Sequence, residues 1–204
     1  MRITKNWTVR LGAALAALCH AGGASAGVHT WDVNEVFSDA TGQIQFVELW
    51  EANGTPGETG VNGQTVTSNT QAVSLATGTT TVAPTTNKYY LIATAGFAAL
   101  PGAPTPDLII PAGSVPFFNT AGDTVAFGGF DSWAFGAVPT NGTDSLDRLT
   151  GVGANSPTNY AGVSGSVNGA PAVPSSSWPT ALFMLALLAG TGAFAARRTL
   201  AARS

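Results

Sequence analysis

The sequence predicts an all-β domain, a sandwich or barrel, set between an amino-terminal export signal and a carboxy-terminal membrane-spanning helix. Three observations carry that expectation. Short apolar runs are separated by Gly, Pro, Thr, Ser and Asn with no long stretch repeating near 3.6 residues, the pattern of strands joined by turns. Two apolar runs at the ends are the exceptions, and each is flanked by basic residues. The charges are also segregated: all eleven carboxylates lie between Asp32 and Asp147, whereas Arg2, Lys5, Arg10, Arg197, Arg198 and Arg203 make up six of the eight Lys and Arg residues. Positive residues resist translocation, so both ends are expected on the cytoplasmic side of a membrane and the acidic middle outside.

Residues 1–26 divide into a basic stretch, an apolar stretch from Leu11 to Leu18, and the small-residue pattern Ala24-Ser25-Ala26 before Gly27. This is the layout of a cleavable secretory signal, with Ala24 and Ala26 as the small recognition residues and Gly27 as the first residue of the processed chain. Cys19 follows Leu18 rather than a small residue, which argues against a lipid-modified cysteine.

Removal of the signal leaves no cysteine, so the domain must be stabilised by a core and not by disulfides. Residues 27–150 are a normal single-domain length. Strands are expected at 30–37, 43–50, 64–68, 72–75, 79–82, 89–94, 108–110, 124–127, 132–135 and 145–149. Thr41-Gly42 marks a turn between the first two, which implies an antiparallel hairpin. Pro101, Pro104 and Pro106 cannot lie in a central strand and mark a loop or a crossing between sheets.

Alternation places Ile44, Phe46, Glu48 and Trp50 on one face of the second strand and Val47 and Leu49 on the other. In the first strand Trp31, Val33, Glu35 and Phe37 share a face, while Val36 breaks the alternation and points to a bulge. A carboxylate in each of two neighbouring apolar rows must be hydrogen-bonded, cation-paired or protonated.

The runs Val33-Asn34-Glu35-Val36 and Phe46-Val47-Glu48-Leu49, then Lys88-Tyr89-Tyr90-Leu91-Ile92, Pro111-Ala112-Gly113 and Gly122-Asp123-Thr124-Val125-Ala126-Phe127, resemble the lamin-tail domain. The resemblance implies an immunoglobulin-like β-sandwich that serves as an interaction or scaffold module without catalysis. The Thr- and Ala-rich segment 68–86 departs from the family pattern.

Residues 151–177 carry no charge and few bulky apolar groups, and are expected as a flexible linker, with Tyr160 the one side chain suited to pack back onto the sandwich. From Pro179 to Ala196 the chain is uncharged and, as a helix, reaches about 27 Å, close to a bilayer core. Trp178 stands at the interfacial position and Arg197-Arg198 forms the cytoplasmic stop. Val173-Pro174, then Ser175 to Trp178, the apolar span and the Arg pair resemble the bacterial sorting tails of the PEP-CTERM and IPTL-CTERM type, although the motif here reads Val-Pro-Ser-Ser-Ser-Trp. That resemblance implies an exosortase-like processing enzyme as a partner, with the protein membrane-anchored at least transiently and then placed at the cell surface or outside it.

Eleven acids against Lys88 and Arg148 leave the middle with a surplus of nine carboxylates, which excludes nucleic acid as a partner because phosphate binding needs a basic surface. An extracellular polysaccharide or another surface protein remains as the partner class. His29 is the one histidine beyond the signal, and no nucleophile elbow, zinc helix or phosphate-binding loop is present. No catalytic, cofactor or metal residue is therefore assigned. Two rivals stay open. Asp32, Asp39, Asp123, Asp131, Asp144 and Asp147, with Asn141, are the oxygen ligands a calcium site would use. Glu35 and Glu48 are the pair a carboxylate hydrolase would use. Asn53-Gly54-Thr55 and Asn141-Gly142-Thr143 read as turns. The expectation is an exported bacterial surface or matrix protein, non-enzymatic and sorted through its tail; a permanently anchored adhesin or a calcium- or ligand-binding domain is the alternative.

Overall fold

A computed structural model describes residues 27–169. They form a β-sandwich of two sheets. The strands are β1 (Trp31–Ser38), β2 (Gln45–Glu51), β3 (Thr65–Thr67), β4 (Ala72–Ser74), β5 (Tyr89–Thr94), β6 (Leu108–Ile110), β7 (Asp123–Phe127), β8 (Asp131–Phe135), β9 (Asp144–Asp147) and β10 (Gly151–Ala154), with a short α-helix, α1 (Ala95–Ala98), and 3-10 turns at Val61–Gly63 and Ala112–Ser114. The six-stranded sheet runs β10-β9-β1-β2-β5-β6 and the four-stranded sheet β4-β3-β7-β8.

The hairpin expected at Thr41-Gly42 is present: β1 and β2 pair antiparallel from Trp31 opposite Glu51 to Ser38 opposite Gln45. Gly42 supplies the positive φ of 70° that the turn needs, and Asp39 fixes it by accepting from Ile44 N and Thr41 Oγ1. The proline-rich segment is a loop within one sheet and not a crossing between sheets, because it returns the chain to β6 parallel to β5. A parallel neighbour requires such a crossover. Thr94 opens it as the cap of α1, accepting from Phe97 N at 3.2 Å.

Apolar residues of both sheets meet in one core, including Trp31, Val33, Val36, Val47, Leu49, Ile92, Val66, Val125 and Phe127. Alternation is cleanest in β7, where Asp123, Val125 and Phe127 are buried and Thr124 and Ala126 half-buried. Gln45 ties the layers together: its amide donates to Phe118 O at 2.9 Å and accepts from Phe117 N at 2.6 Å.

Two expectations need correction. Residues 79–82 form no strand, because their polar groups are met by loops: Thr79 N donates to Asp107 O, Thr81 N to Asn62 Oδ1 and Thr81 Oγ1 to Thr59 O. The domain also continues past residue 150. Asp147 Oδ1 accepts from Leu149 N and Thr150 N, ending β9 short of the expected 149 and turning the chain into β10, which pairs back from Gly151 opposite Asp147. Residues 155–169 then pass over the outer face of the six-stranded sheet as a strap. Under it lies a second apolar cluster of Phe37, Phe46, Leu91, Ala93, Phe97 and Val167. Hence β1 and β2 are buried almost throughout rather than on alternate residues.

Candidate functional site

The bulge that Val36 announces lies just before it, where the register of β1 on β2 shifts between Val33 and Glu35. Its consequence differs from the face expected from simple alternation. Trp31 and Val33 stay in the main core and are joined there by Val36, whereas Phe37 belongs to the outer cluster. Glu35 is carried to the outer side with it. In β2 the expected rows hold, with Val47 and Leu49 inward and Phe46 outward. Glu35 is then paired directly across from Glu48.

Both carboxylates are 1 % exposed, and the strap supplies what water does not. Glu35 accepts from Ser156 N at 2.9 Å and Ser156 Oγ at 3.0 Å. Glu48 accepts from Thr158 N at 2.6 Å and from Asn34 Nδ2 at 3.0 Å, Asn34 being the residue that the bulge frees. Each carboxyl thus has at least two donors, the condition under which buried polar groups are tolerated. Burial raises the pKa of Glu35 above the usual carboxylate range. Burial, and then the neighbouring Glu35 charge, push Glu48 up to about 8, against the pull of its donors. Near neutral pH the pair therefore retains a proton.

The strap is itself held at fixed points. Asn155 Nδ2 donates to Thr143 O and Val167 O, and its Oδ1 accepts from Val167 N. Asp107 accepts from Leu91 N and Tyr160 N, both at 2.8 Å. Tyr160 is buried between Trp31 and Tyr90, its hydroxyl donates to Val82 O, and Lys88 Nζ stands 5.4 Å from its ring centre. Gly165 passes so close to the loop after α1 that a Cβ there would lie 2.2 Å from Gly102 O.

The expected calcium ligands are not gathered into one cluster: Asp32 in β1 comes near Asp131 alone of them, its pKa raised by burial and then by that neighbouring charge. Asp39 and Asp147 serve their own turns, Asp123 accepts from Asn69 N and Asn119 N, Asp144 accepts from Asn141 Nδ2, and Asp131 pairs with Arg148 at 2.7 Å. Among the described residues no three His, Cys, Asp or Glu side chains are grouped to hold a metal ion. Of the residues expected to direct processing, Gly27 is described; Ala24, Ala26, Val173, Pro174, Trp178, Arg197 and Arg198 lie outside the described residues.

Sequence reasoning singled out Glu35 and Glu48 but missed Asn34, Ser156 and Thr158, which complete the site. The available sign was Asn155-Ser-Pro-Thr-Asn159, a concentration of side chains able to replace backbone partners, hidden in a stretch whose composition resembles a linker. Chemically the assembly is a closed clasp: two carboxyls, one retained proton, and a strap whose amides and hydroxyls occupy their lone pairs. Compared with family models, with curated proteins and with solved structures, the chain matches none of them.

Proposed function

We propose that this is an exported bacterial surface or extracellular-matrix protein whose sandwich, of the lamin-tail, immunoglobulin-like kind, serves as a non-enzymatic interaction or scaffold module and is sorted through its C-terminal tail. The observation that carries the non-enzymatic part is the burial of Glu35 and Glu48. A hydrolase needs its two carboxyls on an open cleft with room for substrate, and here both are covered by the strap and engaged by protein donors. The sorting part is carried by the order of the tail: Val173-Pro174, Trp178, an uncharged apolar run and Arg197-Arg198. An exosortase-like enzyme acting there would release a body ending a few residues beyond the strap, for a partner such as a surface protein or an extracellular polysaccharide.

Mass spectrometry of the secreted form tests this, with a C-terminus expected between Val173 and Trp178. Recovery of the uncut tail in membranes would favour a permanently anchored adhesin, and an intact, unclipped chain in the cytosol would end the export reading altogether.

A further inference from the structure

Glu58 lies in the loop after β2, where the first residues of the domain are received: Gly60 N donates to Gly27 O at 2.9 Å and Trp31 Nε1 to Glu58 O at 2.8 Å. The Glu58 residue is 3 % exposed, and its Oε2 has no hydrogen-bond partner. A buried carboxylate oxygen without a donor is unfavourable and calls for a cation. Neither Lys nor Arg of the described residues serves it, since Arg148 is on Asp131 and Lys88 donates to Tyr160 O. His29 Nδ1 stands 3.5 Å from Oε2, but its side chain is 70 % exposed.

The group that covers the carboxylate is Gly27. A Cβ on it would fall 2.3 Å from Glu58 Oε1 and 3.1 Å from Oε2, so the carboxylate occupies the space any side chain would need. Bond geometry sets a residue's own nitrogen about 2.5 Å from its Cβ position, which places the Gly27 nitrogen within about 4.8 Å of Oε1. This nitrogen belongs to the Ala26–Gly27 bond, the one that the Ala24-Ser25-Ala26 pattern marks for cleavage.

We propose that Glu58 is the binding site for the amino terminus that processing creates: removal of the first 26 residues turns Gly27 into an α-ammonium that pairs with Glu58 and completes the fold. The inference rests on the export reading above. Hydrolysis of the bond by a signal peptidase consumes one water and leaves a carboxylate on Ala26 and an ammonium on Gly27. An amide with one donor is replaced by a cation with three, beside a buried anion with an unused oxygen. Glycine suits this position because it leaves room for the carboxylate.

The full chain, exported from a bacterial host, provides the test. Mass spectrometry of the exported protein should give Gly27 as the first residue. Competitive acylation across pH should then show an α-amine titrating at least one unit above the ordinary 7.7–8.0, so that labelling near neutral pH is about tenfold slower than for an unpaired terminus. In Glu58→Gln the slow labelling should be lost. A wild-type amine that titrates in the ordinary range with Gly27 as first residue overturns the pairing and leaves the export reading standing, whether or not the variant folds. A first residue other than Gly27 overturns the pairing and the assigned cleavage site together.

Discussion

Glu35 and Glu48 are like charges placed opposite each other, an arrangement that disfavours strand pairing unless one charge is removed. The retained proton removes it. The folded value of Glu48 lies near 8 and its ordinary value is 4.5, so protonation favours the folded state. The resulting stability is fully present below the unfolded value and is lost as pH rises through the folded one. Unfolding free energy should therefore decline from about pH 5 to about pH 9, with a slope of at most about 1.4 kcal/mol per pH unit for one proton. Glu48→Gln removes the titration but leaves a single acceptor oxygen for two donors, Asn34 Nδ2 and Thr158 N. The variant is expected to be about 1–3 kcal/mol less stable at the acidic end, with a much flatter profile above it. Urea unfolding across this range measures both, and a variant that keeps the full decline would place the proton elsewhere. Loss of a measurable hydrolytic activity in a folded Glu48→Gln protein would instead revive the carboxylate hydrolase.

Among the elements, what was legible in the sequence and what was not divides along a physical line. Strand β7 announces itself because burying alternate side chains leaves an apolar period of two in the chain itself, whereas β5 and β2, buried almost throughout, show as short apolar-rich runs bounded by turn residues. The strap leaves no such record. Its attachment depends on hydrogen bonds to residues more than a hundred positions away, Ser156 to Glu35 and Thr158 to Glu48, and composition registers only Ser, Asn, Pro and Gly. Tyr160 was the visible exception, a large ring in a segment of small residues, and it is buried. The missing strand at 79–82 is the converse case, a Thr-rich run with the right propensity whose backbone and hydroxyl partners lie in irregular loops. Gly165→Ala tests the strap as an element. The added methyl meets Gly102 O, a backbone atom that cannot swing aside, so a loss of about 1–3 kcal/mol is expected. Hydrogen exchange should show amides of residues 156–167 losing protection in the variant while those of β2 and β5 keep theirs. Fast exchange of the strap amides already in the parent protein would return the segment to the linker that its composition describes.

For the whole molecule the governing quantity is charge. All eleven carboxylates fall within the described residues, against Lys88 and Arg148, and a body so charged is destabilised by its own repulsion. The fold answers locally. Burial pulls Glu51 upward, but the Thr55, Asn87 and Asn53 amides and the Thr30 hydroxyl outweigh it and hold the carboxyl below the usual range, while Arg148 meets Asp131. What remains is repulsion among the other acids, such as that of Asp131 and Glu51 on Asp32, which salt screens over a Debye length of about 8 Å at physiological ionic strength. The melting temperature should accordingly rise with ionic strength, and millimolar calcium should add nothing beyond magnesium or sodium at matched ionic strength. Scanning calorimetry in the three salts separates screening from coordination. Screening depends on ionic strength alone, whereas a site must gather several oxygens around one ion and would select calcium by size and ligand number. A calcium-specific rise of several degrees would mean that aspartates such as Asp144 and Asp147 leave their turn partners, Asn141 Nδ2 and the Leu149 and Thr150 amides, to share a cation. That result would replace the scaffold reading of this face with a calcium-binding one.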